Sequence, residues 1–234
     1  MTAKPNLILL HGALGSADQL APLAAHLKEQ FTVHCYDFPG HGGKSFAEHP
    51  LTIPILAEHL LDHLSEFHLI GSHVVGYSMG GYVALWLESK KPGIFSSIMT
   101  FGTKFSWSPE AAEKESKLIA PEFLEAKAAN FVKLLQARHQ PNDWKKLSKE
   151  TSHLMTHLGN HYMTADDFEK IDIPVRITLG DRDSMVTLEE TQHTFATLPK
   201  ASLLVMPDTP HLFEKLNHTY LAEEISRFIH SHGV

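Results

Sequence analysis

Gly76-Tyr77-Ser78-Met79-Gly80 is a G-x-S-x-G stretch lying between an apolar run, Ser72 to Gly76, that reads as a strand and a segment, Gly80 to Lys90, that reads as a helix. That setting turns a short pattern into a mechanism. A sharp strand-to-helix turn lifts the serine hydroxyl above a sheet edge, and small residues on both sides let the backbone bend that tightly. The free N–H groups at the start of the following helix point at the same spot, so developing negative charge there is stabilised. The five residues alone are a modest signal. The strand before them and the helix after them make it a strong one.

Outward from this turn the chain alternates between strands and helices. Leu7 to Leu10 is wholly apolar, as suits a strand buried on both faces. His11-Gly12-Ala13-Leu14-Gly15 breaks it, and Ser16 begins a helix with Gln19 three residues on in a capping-box pattern. Phe31 to Asp37, Ser97 to Phe101, Val175 to Leu179 and Leu203 to Met206 read as further strands. Ile53 to Phe67, Thr187 to Thr197 and Leu212 to His230 read as helices, and Phe38 to Ser45 as a glycine-rich loop. Between 104 and 170 the alternation stops. Three helices are expected there, at Pro109 to Ile119, Pro121 to His139 and Pro141 to His157, each with proline at its start. The block reads as an insertion that covers something, and its stripe Phe123, Phe131, Leu134 and Leu135 should face an apolar partner. The expected fold class is α/β, with about six mainly parallel strands flanked by helices. Residues 1–103 and 171–234 form the core, and 104–170 a helical lid. Functional residues in such sheets lie beyond the carboxyl ends of the strands.

Composition narrows the classes of function. The chain has 234 residues, 43% hydrophobic and 20% charged, with a formal net charge of −7. No basic surplus exists to neutralise phosphates, which argues against nucleic acid as the main partner. No apolar run approaches the roughly 20 residues needed to span a bilayer. Met1 to Pro5 lacks a basic segment followed by an apolar core, so a cytoplasmic protein is expected. The lone cysteine, Cys35, reads as a buried strand residue rather than a reactive thiol. Among eighteen histidines, His153, His157 and His161 have the i, i+4 spacing of helix metal ligands. No H-E-x-x-H or cysteine cluster supports a metal, and they read as ordinary helix residues.

A serine hydroxyl becomes nucleophilic when a base takes its proton and a carboxylate orients the base. The acid candidates lie in Gly180-Asp181-Arg182-Asp183, directly after a strand, and the base candidate is His211, after the last strand. With Ser78 the chain order is Ser, Asp, His. Together with His11-Gly12 and Asp37-Phe38-Pro39-Gly40-His41-Gly42, these motifs make the chain resemble the α/β-hydrolase superfamily, in particular its small single-domain serine esterases. The resemblance covers nearly the whole chain and is far more specific for fold than for substrate. It implies Asp183 as the triad acid and Asp181 as a residue that ties down the turn, the reverse assignment being the alternative. It implies an oxyanion hole made by the backbone N–H groups of Met79 and Ala13, with Leu14 the second choice for the latter. His11, Asp37 and His41 read as structural. Family members often open with an antiparallel hairpin. Only Met1 to Asn6 precede Leu7, so six strands, all parallel, are expected.

What the resemblance implies is a hydrolase that cleaves a small carboxylic ester or thioester through an acyl-enzyme, without cofactor or metal. Phe38, Tyr77, Phe105, Trp107 and Trp144 are candidates to line an apolar acyl pocket, and Trp144 reads equally well as core. A lyase or carbon–carbon hydrolase of the same fold, as in menaquinone synthesis, is one alternative. Those lyases place an arginine directly after the Gly80-Gly81 pair that closes the serine turn, where this chain has Tyr82, although Arg138 or Arg182 could substitute. A cofactor-free haloperoxidase and a weakly catalytic ligand receptor are the others. Oligomeric state is not readable.

Overall fold

The structure is a computed structural model and describes residues 3–232. The outer limits of the expected core, 1 and 234, and the first two residues read for a leader lie outside these residues. Strands form from short, mostly apolar runs, those at the centre of the sheet without alternation because a parallel strand covered on both faces has no solvent side to keep polar. They are β1 (Asn6–Leu10), β2 (Thr32–Tyr36), β3 (Ser72–Tyr77), β4 (Phe95–Phe101), β5 (Val175–Arg182) and β6 (Ala201–Pro210). They form one six-stranded sheet in the order β2-β1-β3-β4-β5-β6, and every pairing is parallel. The expected α/β architecture is the one observed.

Ten α-helices accompany the sheet among the described residues: α1 (Ala17–Leu27), α2 (Ile53–Glu66), α3 (Met79–Lys90), α4 (Pro109–Leu118), α5 (Pro121–Lys127), α6 (Ala129–His139), α7 (Trp144–Leu158), α8 (Ala165–Glu169), α9 (Leu188–Thr197) and α10 (His218–His230). Successive strand residues point to opposite faces. Leu7 and Leu9 pack with Leu20 and Leu27 of α1 and Ile225 and Phe228 of α10. Ile8 and Leu10 join the other core, with Leu56 of α2 and Val83 of α3. Leu135 of α6 and Leu147 and Leu154 of α7 belong to that same core, so the 104–170 block packs into it. No helix among the described residues is long and apolar enough to cross a membrane.

Several local expectations are corrected. The capping box at Ser16 does not form. The Ser16 hydroxyl is buried without a partner, and the Gln19 side chain reaches Glu214 instead. The Ala17 N–H is capped from outside α1, by Asp37 Oδ1 at 2.7 Å. The helix expected over Pro121 to His139 breaks at Ala128, whose φ of −140° and ψ of 47° are not helical. That break resets the helical phase. Leu124, Val132 and Leu135 are buried, whereas Phe123, Phe131 and Leu134, expected to face an apolar partner, are 36–42% exposed. The next helix starts not at Pro141 but at Trp144, where the Asp143 carboxylate accepts the Lys145 N–H. The last helix starts at His218, after a short 3-10 turn at Phe213–Lys215. Cys35 is half-buried rather than buried, and burial pushes its thiol up to about 11.

Candidate active site

The β3–β4 ladder runs out at Tyr77 and Phe101, so Ser78 and Gly102 emerge side by side at the carboxyl edge of the sheet. Ser78 donates its N–H to the Phe101 carbonyl at 2.8 Å and accepts the Thr103 hydroxyl on its own carbonyl at 3.0 Å. Its backbone is left-handed, with φ 50° and ψ −115°. Such a conformation costs a non-glycine residue roughly 1–3 kcal/mol and persists only where neighbours over-determine it. Gly80 is one reason the turn can close: a Cβ there would fall 2.7 Å from the His11 carbonyl oxygen. Ser78 remains partly exposed, at the amino end of α3.

The β5–β6 ladder continues past a bulge to the pair Arg182 and Pro210. The next residues, Asp183 and His211, therefore meet. His211 Nδ1 donates to Asp183 Oδ2 at 2.7 Å. The Asp183 carboxyl group is fully shielded from solvent, and its other oxygen accepts the N–H groups of Met185 at 2.8 Å and Val186 at 2.9 Å. Three donors suit an ionised carboxylate. With Nδ1 protonated, neutral His211 keeps its lone pair on Nε2. Tyr77 lies beneath, its hydroxyl donating to the His211 carbonyl at 3.1 Å. Gly102, with φ +59°, joins the two ladders: a Cβ there would lie 3.2 Å from the His211 ring and 3.3 Å from Asp183 Oδ2. Asp181 is placed differently. Its Oδ1 accepts the Thr209 N–H at 3.1 Å, inside the strand extension.

The third component is the loop after β1. Gly15 donates its N–H to the Gly12 carbonyl at 3.0 Å, closing a turn through Ala13 and Leu14. A Cβ on Gly12 would fall 2.9 Å from the Tyr77 ring and 3.1 Å from the Ser78 Cβ, so this turn lies directly against the serine. Ala13, Ser78 and Met79 share one cavity of about 50 Å³, closed by Trp107, Leu154 and Leu158. A larger cavity of about 740 Å³ lies beyond, lined by Phe105, Tyr162, Phe168 and His193. Lys104 and Trp107 line both, and the Trp107 indole N–H donates to the Lys104 carbonyl at 3.1 Å. Chemically, the arrangement offers a hydroxyl on a strained turn, an imidazole oriented by a buried carboxylate, and backbone N–H groups beside the same small space.

The structure brings Ser78, Met79 and Ala13 together in one cavity, and it pairs Asp183 with His211. Of the aromatic candidates, Phe105 lines the larger cavity and Trp107 both. Phe38, Tyr77 and Trp144 line neither of these two cavities. Phe38 is fully buried against Tyr36 and His11, Tyr77 supports His211, and Trp144 is core. Sequence reasoning missed Lys104, Tyr82, Leu154 and Leu158 as lining residues. Leu154 and Leu158 are spaced like any core stripe, and nothing local marks which core they face. His11 is structural: its Nδ1 donates to the Gly12 carbonyl and its Nε2 accepts the Phe38 N–H. Burial drives this imidazole down to about 3.

The family model described as the alpha/beta hydrolase family matches residues 7–221. Among curated proteins, the chain is 26% identical over 241 residues to the (R)-3-hydroxydecanoyl-ACP:CoA transacylase of Ectopseudomonas oleovorans, covering 93% of this chain and 79% of that protein. It is 25% identical over 236 residues to Lipase 3 of Moraxella sp. (strain TA144), covering 91% and 73%. Among solved structures, the enol-lactonase from Burkholderia xenovorans LB400 superposes with a TM-score of 0.81 at 17% identity, over 98% of this chain and 92% of that one. The family match spans the serine turn, the Asp183 loop and His211, and the chain belongs to the alpha/beta hydrolase family.

Proposed function

We propose that this chain is a serine hydrolase that cleaves a small carboxylic ester or thioester through an acyl-enzyme. Ser78 attacks the carbonyl while His211 takes its proton, and Asp183 stabilises the imidazolium. The N–H groups of Ala13 and Met79 receive the oxyanion, each worth about 3 kcal/mol in the transition state. The protonated His211 then gives its proton to the leaving group, and water activated by the same imidazole releases the acid. The observation that carries this reading is the meeting of two strand ends. The Asp183–His211 pair lies against Gly102, and the residue before it, Phe101, accepts the Ser78 N–H at 2.8 Å.

The 104–170 block acts as a cap in this reading, because Trp107, Leu154 and Leu158 close the space above Ser78. About 50 Å³ beside the serine fits a short acyl group, and Trp107 divides it from the larger cavity. The lyase alternative is less well supported. Tyr82, at the position of the lyase arginine, uses its hydroxyl to accept the Met163 N–H. Arg138 is engaged with Leu14 and Glu214, and Arg182 pairs with Asp208 at the surface.

A chain-length series of p-nitrophenyl esters tests the assignment. Wild type should turn over acetate and butyrate fastest, and Ser78→Ala should lose on the order of 10⁴-fold or more in kcat. Trp107→Ala should shift the preference toward longer chains. Equal turnover of the series by wild type and Ser78→Ala would end the esterase reading.

A further inference from the structure

The turn that carries Ala13 is held from outside the sheet. Its Leu14–Gly15 peptide is gripped at both ends. The Gly15 N–H donates to the Gly12 carbonyl at 3.0 Å, and the Leu14 carbonyl accepts two side-chain donors from α6. Arg138 Nη1 donates to that oxygen at 3.1 Å, and His139 Nε2 donates at 3.1 Å. Leu14 itself has φ 55°, a conformation that leucine adopts only when its surroundings hold it there. These bonds link residues more than 120 positions apart in the chain.

The two donors have further partners, and these show what is being tied together. Gly42 donates its N–H to His139 Nδ1 at 3.1 Å. A backbone N–H there requires Nδ1 to be the acceptor, so the ring proton is on Nε2, where it serves Leu14. His139 has no exposed surface, and burial brings its imidazole down to about 4, so it bridges the two loops as a neutral ring. Arg138 Nη2 pairs with Glu214 at 2.9 Å, three residues after His211. Glu214 also accepts the Gln19 side chain at 2.9 Å, from the helix that follows the turn. The carboxyl end of α6 thus touches the Ala13 turn, the glycine loop at Gly42 and the segment that follows His211.

We propose that Arg138 and His139 are positioning residues for the oxyanion site, holding the Leu14 carbonyl so that the Ala13 N–H keeps the geometry needed in the transition state. The proposal rests on the serine hydrolase reading. It adds that the inserted helices, beyond covering the site, set the shape of the turn that completes it. Because the contact is made to backbone, the identity of the loop side chains matters little. What matters is a donor at Leu14 and an acceptor at Gly42. Glutamine can supply both with its amide nitrogen and oxygen, whereas leucine fills similar space and supplies neither.

The test compares His139→Gln, His139→Leu and Arg138→Met with wild type by two readouts. These are kcat and KM on p-nitrophenyl acetate, and amide hydrogen exchange over residues 12–15. His139→Leu should lower kcat tenfold or more with KM within threefold, and should speed exchange in the turn. His139→Gln should stay within threefold of wild type in kcat and keep the exchange protection. Arg138→Met should lower kcat at least threefold, and it stands in if His139→Leu does not fold. A purely structural role would lower stability while leaving kcat per folded molecule unchanged. That result, or a glutamine variant as impaired as the leucine one, would overturn the proposal. If Ser78→Ala turns over the ester as fast as wild type, the hydrolase reading fails by itself. The exchange arm still decides whether α6 holds the turn, and unchanged exchange in His139→Leu would overturn it.

Discussion

Asp181 and Asp183 stand two positions apart, and the β5–β6 ladder gives them different neighbours. Asp183 follows the last paired residue of β5, and its carboxylate is shielded from solvent and accepts three donors. Asp181 is exposed and holds one backbone N–H of β6. Asp183→Asn should therefore cut kcat by about 10³–10⁴, because the amide favours the wrong imidazole tautomer. Asp181→Asn should stay within about threefold. Steady-state kinetics on p-nitrophenyl acetate checks both, and comparable losses in the two variants would contradict the assignment. Sequence left these two residues as alternatives separated only by resemblance, because choosing between them needs the strand register. Ser78 and His211 had no such rival, since each stands alone between a legible strand and a legible helix. Tyr77 was legible as an aromatic beside the serine but not as the support of His211. That bond joins residues 134 positions apart.

Helix α1 shows why a local pattern can mislead. Ser16 and Gln19 have capping-box spacing, yet Asp37 at the end of β2 supplies the acceptor for Ala17. Burial raises the Asp37 carboxyl above its usual range. Asp37→Ala should cost about 1 kcal/mol, the usual value of a lost cap. Ser16→Ala should be within about 0.5 kcal/mol of neutral, since the Ser16 hydroxyl makes no bond to lose. Urea midpoints of the two variants distinguish a tertiary cap from a local one, and the reverse order would contradict it. The helices between 104 and 170 were legible in kind but not in number or phase. Nothing in the run from Pro121 to His139 is a strong breaker, and the non-helical backbone at Ala128 arises where α5 and α6 both pack inward. The central strands β1, β3 and β4 were legible because strands buried on both faces write themselves as short apolar runs, whereas β2 and β6 at the sheet edges are partly exposed.

Across the fold, the loops at the carboxyl edge meet over a group of buried imidazoles. His11, His41 and His139 have no exposed surface, with ring centroids 4.8 Å apart for His11 and His41 and 5.8 Å apart for His41 and His139. Burial lowers His11 to about 3, His139 to about 4, and His41 well below its ordinary value. An unfolded chain protonates these rings near pH 6.5, while in the folded chain His11 resists until about 3 and His139 until about 4, and burial holds His41 neutral in the same direction. Folding stability is therefore complete above pH 6.5 and is lost as pH falls below it. Each such histidine contributes a slope of up to about 1.4 kcal/mol per pH unit. The half-buried His34 and His63 and the buried His73 are lowered by burial too and act in the same direction. Urea unfolding at pH 7.5, 6.0 and 5.0 should show falling stability, with a shallower fall in His139→Gln. Constant stability over that range would contradict it. Sequence revealed the abundance of histidine but not this cluster, because its members come from β1's loop, the glycine loop and α6.

All of the chemistry proposed for this chain depends on one hydroxyl being made reactive by residues from other strand ends. Reaction with a fluorophosphonate, read by intact mass and peptide mapping, measures that reactivity without assuming any natural substrate. One adduct per chain on Ser78 is expected, with labelling at least 10³-fold slower in His211→Ala. No adduct, an adduct on a different residue, or equal labelling rates in wild type and His211→Ala would contradict it.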